Sequence, residues 1–250
     1  MKHLILLILL FAFFDAHTTQ PHTLIEQANE AYSRSEYSYA AELYEQVIEQ
    51  GWESADLFYN LGNAYFKSNR LGKAILNYER ALRLRPNDED IQHNLRVARN
   101  RIVDRIEERP LLFYEKWWRN AYMMQTATGW GITGIVFLTL FLLLTSLFLF
   151  SRTRGVKKIS FYTALLFFIF TALSLIFAQK QYNRLTADDQ GIILSPRVAA
   201  KSSPTAQSPD LFLMHEGTKV QIRNTLGEWV EIRLPDGNVG WIKKETLEVI

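Results

Sequence analysis

The stretch "ADLFYNLGNAYFKSNRLGKAILNYERALRLRPND", residues 55–88, decides the fold of the N-terminal part of the chain. It contains two segments with helical apolar periodicity, separated by a short polar turn, and therefore predicts a pair of packed helices. Gly62 and Ala74 are small, which predicts that the helices approach closely at these positions, and Tyr78 is large enough to fill the space beside them. Pro86 predicts the end of the second helix.

The same pattern occurs once more before this stretch and begins again after it. Upstream, Ala28 corresponds to Gly62 and Tyr44 to Tyr78. Downstream, Asn94 corresponds to Asn60, but no second helix is predicted in this third unit. An internal period of about 34 residues indicates a stack of helical pairs. We predict a repeat domain over residues 22–109 that consists of two units and a capping helix, at residues 21–53, 54–87 and 88–108.

The unit at residues 55–88 resembles the tetratricopeptide repeat, with matching spacing at Leu61, Gly62, Tyr65, Ala74, Tyr78, Ala81 and Pro86. The resemblance implies a concave face, formed by the first helix of each unit, that clamps extended peptides. It places the following residues on that face: Ile25, Asn29, Tyr32, Tyr59, Asn63, Phe66, Lys67 and His93. An amide both donates and accepts hydrogen bonds, which suits a peptide backbone. The alternative is that the asparagines belong to the repeat consensus and only cap local turns.

Three apolar segments indicate export and membrane insertion. Residues 1–16, "MKHLILLILLFAFFDA", have the short apolar core of a signal peptide, although Phe14 gives a poor cleavage site and the segment can instead remain as an anchor. Residues 131–150 and 159–178 carry no charge and are each long enough to cross the hydrocarbon core as a helix. We predict two transmembrane helices that only anchor the chain, since neither contains an ionisable residue.

The loop between the predicted spans, residues 151–158, sets the orientation. Its sequence "SRTRGVKK" holds four basic residues and no acidic one. Because loops rich in lysine and arginine stay in the cytoplasm, we expect the domains before and after the spans to face the periplasm, with the spans in a bacterial inner membrane. The whole-chain net charge of +2 gives no basis for a nucleic-acid partner.

The C-terminal part has a β pattern. Residues 195–210 are rich in serine, proline and alanine and predict a linker, whereas "TKVQI", "EWVEIRL" and "NVGWI" predict strands, with a hairpin turn at residues 235–238. Over residues 189–250 the order of these strands and of Gly240-Trp241 resembles the bacterial Src-homology-3-like domain, a small β-barrel. In that family aromatic residues line a ligand groove, for which Trp229 and Trp241 are the candidates. A barrel of this size uses large side chains heavily in its core, and we favour a core or structural role for both.

The sequence contains no recognisable catalytic constellation. There is no cysteine, the five histidines lack metal-ligand spacing, and neither a phosphate loop nor a nucleophile elbow is present. We therefore predict a protein that is not an enzyme and that needs no metal or other cofactor.

The predicted fold class is a multi-domain membrane protein: an all-α tetratricopeptide solenoid, a two-helix transmembrane hairpin and a small all-β barrel. This order of domains resembles the BatE proteins of the Bacteroides aerotolerance operon. The resemblance implies a scaffold in a BatA/BatD/MoxR-type complex, with membrane proteins that contain von Willebrand factor A domains as partners and a role in aerotolerance or envelope stress. The alternative is a cell-wall sensor whose barrel binds peptidoglycan.

Overall fold

The computed structural model describes residues 19–104, 106, 112–187 and 189–250, so the predicted signal peptide lies outside the described residues. The chain forms two compact units. One comprises Met1–Arg109 together with Asp188–Ile250, and the other comprises Pro110–Ala187.

The first unit begins with five helices in antiparallel succession: α1 (Thr19–Ser33), α2 (Tyr37–Glu49), α3 (Ala55–Lys67), α4 (Leu71–Leu84) and α5 (Glu89–Arg99). The predicted close approach of α3 and α4 is present, because a Cβ added at Gly62 would lie 2.7 Å from Cδ1 of Tyr78. Tyr44, Tyr65 and Tyr78 are fully buried in the core that these helices share. The helical-repeat fold is thus confirmed, with tyrosine rings filling the space that small residues leave.

The capping helix predicted over residues 88–108 is shorter than expected. Asp88 caps its start by accepting hydrogen bonds from the backbone N–H groups of Asp90 and Ile91, but the helix ends at Arg99. Beyond this point Ile102 packs against the core of the repeat, and Ile106 packs against the core of the C-terminal barrel. The chain leaves the helix because these side chains gain more from burial than from a further helical turn in solvent.

The C-terminal part of the same unit is an antiparallel sheet of seven strands, in the order β3-β2-β6-β5-β4-β1-β7. The strands are β1 (Gln190–Ile193), β2 (Arg197–Lys201), β3 (Asp210–His215), β4 (Lys219–Leu226), β5 (Trp229–Arg233), β6 (Val239–Lys243) and β7 (Leu247–Val249). The side chains of Val230, Ile232 and Ile242 are buried between the curved faces. This topology confirms the predicted Src-homology-3-like barrel.

The predicted linker at residues 195–210 is wrong in its first half, because β2 occupies Arg197–Lys201. Val198 and Ala200 are buried while Arg197 and Lys201 lie further out, which is the alternation of a strand with one face on a core. Alanine gives little β signal, so only the pairing of β2 with β3 and β6 reveals the strand.

The second unit contains α6 (Phe113–Met123), α7 (Ala127–Phe150) and α8 (Arg154–Thr186). Both α7 and α8 are long and apolar enough to cross a membrane. In the most apolar 18-residue stretch of each helix, only 6% of α7 and 22% of α8 is buried. Core helices of a soluble protein are mostly buried, so this pair is compatible with membrane insertion. The helices extend beyond the predicted spans. Arg154, Lys157 and Lys158 therefore lie on the first turns of α8 and not in a loop, which is confined to residues 151–153.

One side of α8 is buried within the second unit, and most of its buried residues are small or polar. The buried residues of α8 recur at helical spacing along one side: Ser160, Ala164, Thr171, Ser174, Phe177 and Gln181. On α7 the buried residue is Gly134, where an added Cβ would lie 3.5 Å from Leu175 and 3.6 Å from Ser174. Small residues allow the close backbone approach on which helix association in lipid depends.

Candidate functional site

A polar cavity of about 230 Å³ opens between the first helices of the two repeat units. Its lining residues come from α1, α2 and α3: Asn29, Tyr32, Tyr44, Asn60 and Asn63. We call this cavity the groove. Amides and tyrosine hydroxyls dominate its surface, so it offers hydrogen-bonding groups without a fixed charge.

The same hydrogen bond occurs in both units of the repeat. The hydroxyl of Tyr44 donates to Oδ1 of Asn29 at 2.6 Å, and the hydroxyl of Tyr78, at the equivalent position of the next unit, donates to Oδ1 of Asn63 at 2.8 Å. Burial raises the pKa of Tyr44 to about 12, and nearby Tyr32 adds to the rise; burial also raises the pKa of Tyr78. Both hydroxyls therefore stay protonated and remain donors at neutral pH.

This bond fixes which way each amide presents its groups. Because Oδ1 of Asn29 and Oδ1 of Asn63 accept from buried tyrosines, each side chain keeps its Nδ2 group as a donor. Within the described part of the chain neither Nδ2 group makes a hydrogen bond of its own. Two unused donors in equivalent positions suit the carbonyl oxygens of an extended peptide.

The third, incomplete unit joins this network through Asn94 on α5. Its Nδ2 donates to Oδ1 of Asn63 and to the hydroxyl of Tyr59, both at 2.9 Å. The network therefore runs from Tyr78 through Asn63 to Asn94, which fixes the rotamer of Asn63 from two sides. A side chain held in this way is ordered before any ligand arrives.

The structure brings only some of the predicted groove residues together. Asn29, Tyr32 and Asn63 line the cavity, and Tyr59 lies beside it as a partner of Asn94. Phe66 is half-buried beneath the guanidinium of Arg101, 4.4 Å from the ring centroid, while Lys67 and His93 are exposed outside the lining. Tyr44 and Asn60 line the groove but were not predicted to do so; Tyr44 lies on a second helix, whereas the groove was expected on first helices alone. The recurrence of the Tyr–Asn pair from one unit to the next is the signal that could have revealed Tyr44.

The barrel covers a different surface of the repeat, which we call the docking face. It consists of residues from α4 and from the segment that follows α5: Gly72, Ile75, Glu79, Arg80, Arg83, Ile102 and Asp104. Ile192 and Ile250 of the barrel belong to the buried core of the repeat. At Gly217, with φ of +85°, an added Cβ would lie 2.6 Å from Ile102 Cγ2 and 3.0 Å from Ile75 Cδ1. In a longer stack the next unit would cover such a face. Here the barrel does so.

Charged contacts surround this apolar contact. Glu79, whose side chain is 7% exposed, pairs with Arg99 of α5 and with Lys219 of β4, the latter at 2.8 Å. Arg80 donates to Oε1 of Glu248 at 2.9 Å and to the carbonyl oxygen of Val249 at 2.8 Å. The buried carboxylate of Glu79 is thus paired with one cation from the repeat and one from the barrel. Separating the two domains would leave these charges without part of their pairing.

Asp104 makes the most concentrated set of contacts between the two domains. Its carboxylate accepts from the backbone N–H of His215 at 2.6 Å, from Thr218 Oγ1 at 2.7 Å and from His215 Nδ1 at 2.8 Å. Partial burial alone would raise the pKa of Asp104, but the hydrogen bonds from His215 and Thr218 outweigh it and hold the pKa below its ordinary value. The contact is therefore formed by the ionised carboxylate.

The two tryptophans of the barrel lie outside its buried core, so of the core or structural role that we favoured only the structural part fits their position. Trp241 pairs with Glu231 and Lys201, and Trp229 pairs with Lys243, while the alternate residues Val230 and Ile242 are buried. Both rings are therefore half-buried on the outer face of β5 and β6, diagonal to each other. The docking face contacts β1, β4, β7 and the β3–β4 turn, and none of its contacts given above involves Trp229 or Trp241.

Two family models match the chain. Residues 55–88 match the tetratricopeptide repeat, and residues 197–248 match the bacterial SH3 domain. Domains of these two types are typically non-catalytic, and the described residues include no group of three or more histidine, aspartate or glutamate side chains that could hold a metal ion. The types of domain are thus those predicted.

Among solved structures, the TPR domain of Sgt2 from Aspergillus fumigatus is similar at 16% identity with a TM-score of 0.31, over 66% of this chain and 81% of that one. No curated protein matches the chain.

Proposed function

We propose that this protein is a membrane-anchored, non-enzymatic scaffold that binds an extended segment of a partner protein in the groove of its repeat domain. The observation that carries the proposal is the pair of equivalent tyrosine–asparagine hydrogen bonds. They order Asn29 and Asn63 and leave two amide donors for backbone carbonyl oxygens. The tetratricopeptide match supports a protein partner, since such repeats mediate protein–protein interactions.

The partners that we propose are membrane proteins with von Willebrand factor A domains, in a complex of the BatA/BatD/MoxR type that acts in aerotolerance or envelope stress. The order of repeat, hairpin and barrel supports this, because it is the order of the BatE proteins that the sequence resembles. The proposed location is a bacterial inner membrane, crossed by α7 and α8, with both soluble domains in the periplasm. Arg152 between the two helices, and Arg154, Lys157 and Lys158 in the first turns of α8, support this orientation.

The test is affinity purification from membranes, followed by mass spectrometry, of the wild-type chain and an Asn29→Asp/Asn63→Asp variant. Aspartate keeps the oxygen that Tyr44 and Tyr78 need but replaces each amide donor by an acceptor, so the fold is preserved while the groove repels carbonyl oxygens. We expect the variant to lose partners that the wild type retains. A matched control is Glu42→Gln, which changes an exposed residue of α2. Equal recovery of partners by all three proteins would refute the role of the groove.

A second candidate function is peptidoglycan binding by the barrel. The observation in its favour is the outer face of β5 and β6, where the half-buried Trp229 and Trp241 lie beside Lys243 and beside Lys201 of β2, which pairs with Asp210 at 2.7 Å. Aromatic rings beside cations suit sugar faces and the carboxylates of stem peptides. Cosedimentation of the detergent-solubilised chain with purified sacculi tests it. Binding that is lost in Trp241→Ala supports this function, and recovery of the wild type in the supernatant removes it.

A further inference from the structure

The helix before the first span has an exposed aromatic side. Phe113, Tyr114 and Trp117 are 85%, 53% and 68% exposed, and their spacing of three and four residues places them on one side of α6. Arg119 lies two residues from Trp117, on the opposite side of the helix. An exposed cluster of large rings indicates a surface that something covers.

Contacts within the second unit fix the position of α6 along α8. The ring of Trp118 lies 5.0 Å from the ring of Phe177, and Trp130 lies 4.8 Å from the same ring. One turn further along α8, Nε2 of Gln181 donates to the carbonyl oxygens of Tyr122 and Gln125 at 3.0 and 2.9 Å. The helix therefore crosses α8 at its last apolar turn, since the polar residues Gln179 and Lys180 follow directly.

We propose that α6 is an interfacial helix whose aromatic side inserts between the lipid headgroups of the leaflet at this end of the hairpin. This inference rests on the membrane insertion of α7 and α8 proposed above. We favour lipid over a protein as the occupant because of the position of α6 along α8. The helix packs where the apolar part of α8 ends, and in a hairpin that spans the bilayer this position lies at the depth of the headgroups. Tyrosine and tryptophan rings are favourable at that depth, where one end is apolar and the other hydrated.

Charge on the remaining sides of α6 fits the same occupant. Lys116 and Arg119 are exposed, and across the described residues neither forms an ion pair, so both are available to lipid phosphates. Glu115 points back to the helix start, where it accepts from the backbone N–H of Leu112 at 3.1 Å. The helix thus presents rings on one side, with Lys116 at the edge of that side and Arg119 opposite it, and helices that lie in a membrane surface likewise combine apolar rings with cations.

The experiment uses the absence of cysteine from the sequence, which allows a spin label at any single position of the full chain. Four variants are reconstituted in vesicles of phosphatidylethanolamine and phosphatidylglycerol: Trp117→Cys, Arg119→Cys, Leu142→Cys and Tyr39→Cys. Collision of the label with oxygen reports lipid, and collision with a nickel chelate reports water. Leu142 is an exposed residue in the middle of α7, and Tyr39 is an exposed residue of the repeat.

We expect oxygen to dominate at residues 117 and 142 and nickel to dominate at residues 119 and 39. An aqueous label at residue 117 together with a lipid-exposed label at residue 142 overturns the interfacial helix and leaves membrane insertion intact. An aqueous label at residue 142 overturns both. Line broadening at residue 117 from a second label overturns the inference as well, because it shows that another copy of the chain covers the rings.

Discussion

The groove and the docking face of the repeat domain are built from different chemistry. The groove holds neutral amides and tyrosines, and their hydrogen bonds leave donors unused. The docking face holds charged groups such as Glu79 and Asp104, which the barrel satisfies with its own side chains. The polar groups of the docking face are therefore satisfied within the chain, whereas the groove keeps two amide donors without a partner among the described residues. We therefore expect the docking face to contribute mainly to stability, and we propose the groove as the surface that binds a partner.

The largest effect is expected where the barrel meets the repeat most closely. Gly217→Ala adds a methyl group 2.6 Å from Ile102 Cγ2 at a positive φ. We expect a loss of about 3 kcal/mol in the free energy of unfolding, from backbone strain and overpacking together. Gly227→Ala is the control, since Gly227 also has a positive φ but nothing within 4 Å. Its expected loss is about 1 kcal/mol. Equal losses in urea denaturation would contradict the tight docking.

Removal of the buried charge on the docking face should have the next largest effect. Glu79→Gln leaves Arg99 and Lys219 without their common counter-charge. We expect a loss of about 2 kcal/mol, less than for a fully buried pair because both cations are partly exposed to solvent. In a protein that already carries Lys219→Met, Glu79→Gln should lower the free energy of unfolding by less, because only Arg99 then loses its counter-charge. Identical costs in both backgrounds would show that Lys219 is not coupled to Glu79.

The docking face should also respond to acid. The pKa of Asp104 is lowered in the folded protein, so its contribution is complete above the unfolded value of about 3.9 and is lost as the pH falls through the lower, folded value. At pH 7 we expect Asp104→Asn to lower the free energy of unfolding by about 1 kcal/mol, because an amide cannot accept all three hydrogen bonds that the carboxylate accepts. The measurement compares the two proteins at pH 7 and pH 3. Their difference in stability should shrink at the lower pH, and a constant difference contradicts the assignment.

The smallest effect on stability is expected in the groove. Asn63→Asp keeps the acceptor for Tyr78 and Asn94, so the free energy of unfolding should change by less than about 1 kcal/mol at pH 7. Thermal unfolding followed by circular dichroism measures this change. A loss as large as that of Glu79→Gln would mean that the groove, like the docking face, is part of the structural core.

Local signals in the sequence were sufficient for the helical pairs, the two long apolar helices and part of the barrel, but not for α6. The internal period predicted the helical pairs because Gly62 and Tyr78 reflect a contact within one unit. The strands β4, β5 and β6 could be predicted because their alternation is local, whereas β1, β2 and β3 were not predicted; the alanines of β2 carry little β signal. The apolar segments of the hairpin were equally visible, although the helices extend beyond the predicted spans.

Contacts between distant parts of the chain could not be predicted. The pairing of Glu79 with Lys219 joins residues 140 positions apart, and nothing local to either one indicates it. The end of α5 at Arg99 was missed for the same reason, since no helix breaker occurs before Pro110 and burial against the barrel ends the helix. The position of Trp241 outside the core depends on the register of β6 against β5, which the sequence does not state.

Site-specific photocrosslinking in living cells tests the central claim most directly, because it asks which surface of the repeat contacts a partner. Tyr32, which lines the groove, and Tyr39, an exposed residue of α2 outside it, are replaced one at a time by p-benzoylphenylalanine in the full chain. Both changes keep an aromatic ring at the position, so the two variants are matched in chemistry. We predict a covalent adduct with a membrane protein from position 32 and none from position 39. Adducts of equal yield from both positions, or from position 39 alone, would contradict the groove as the binding site.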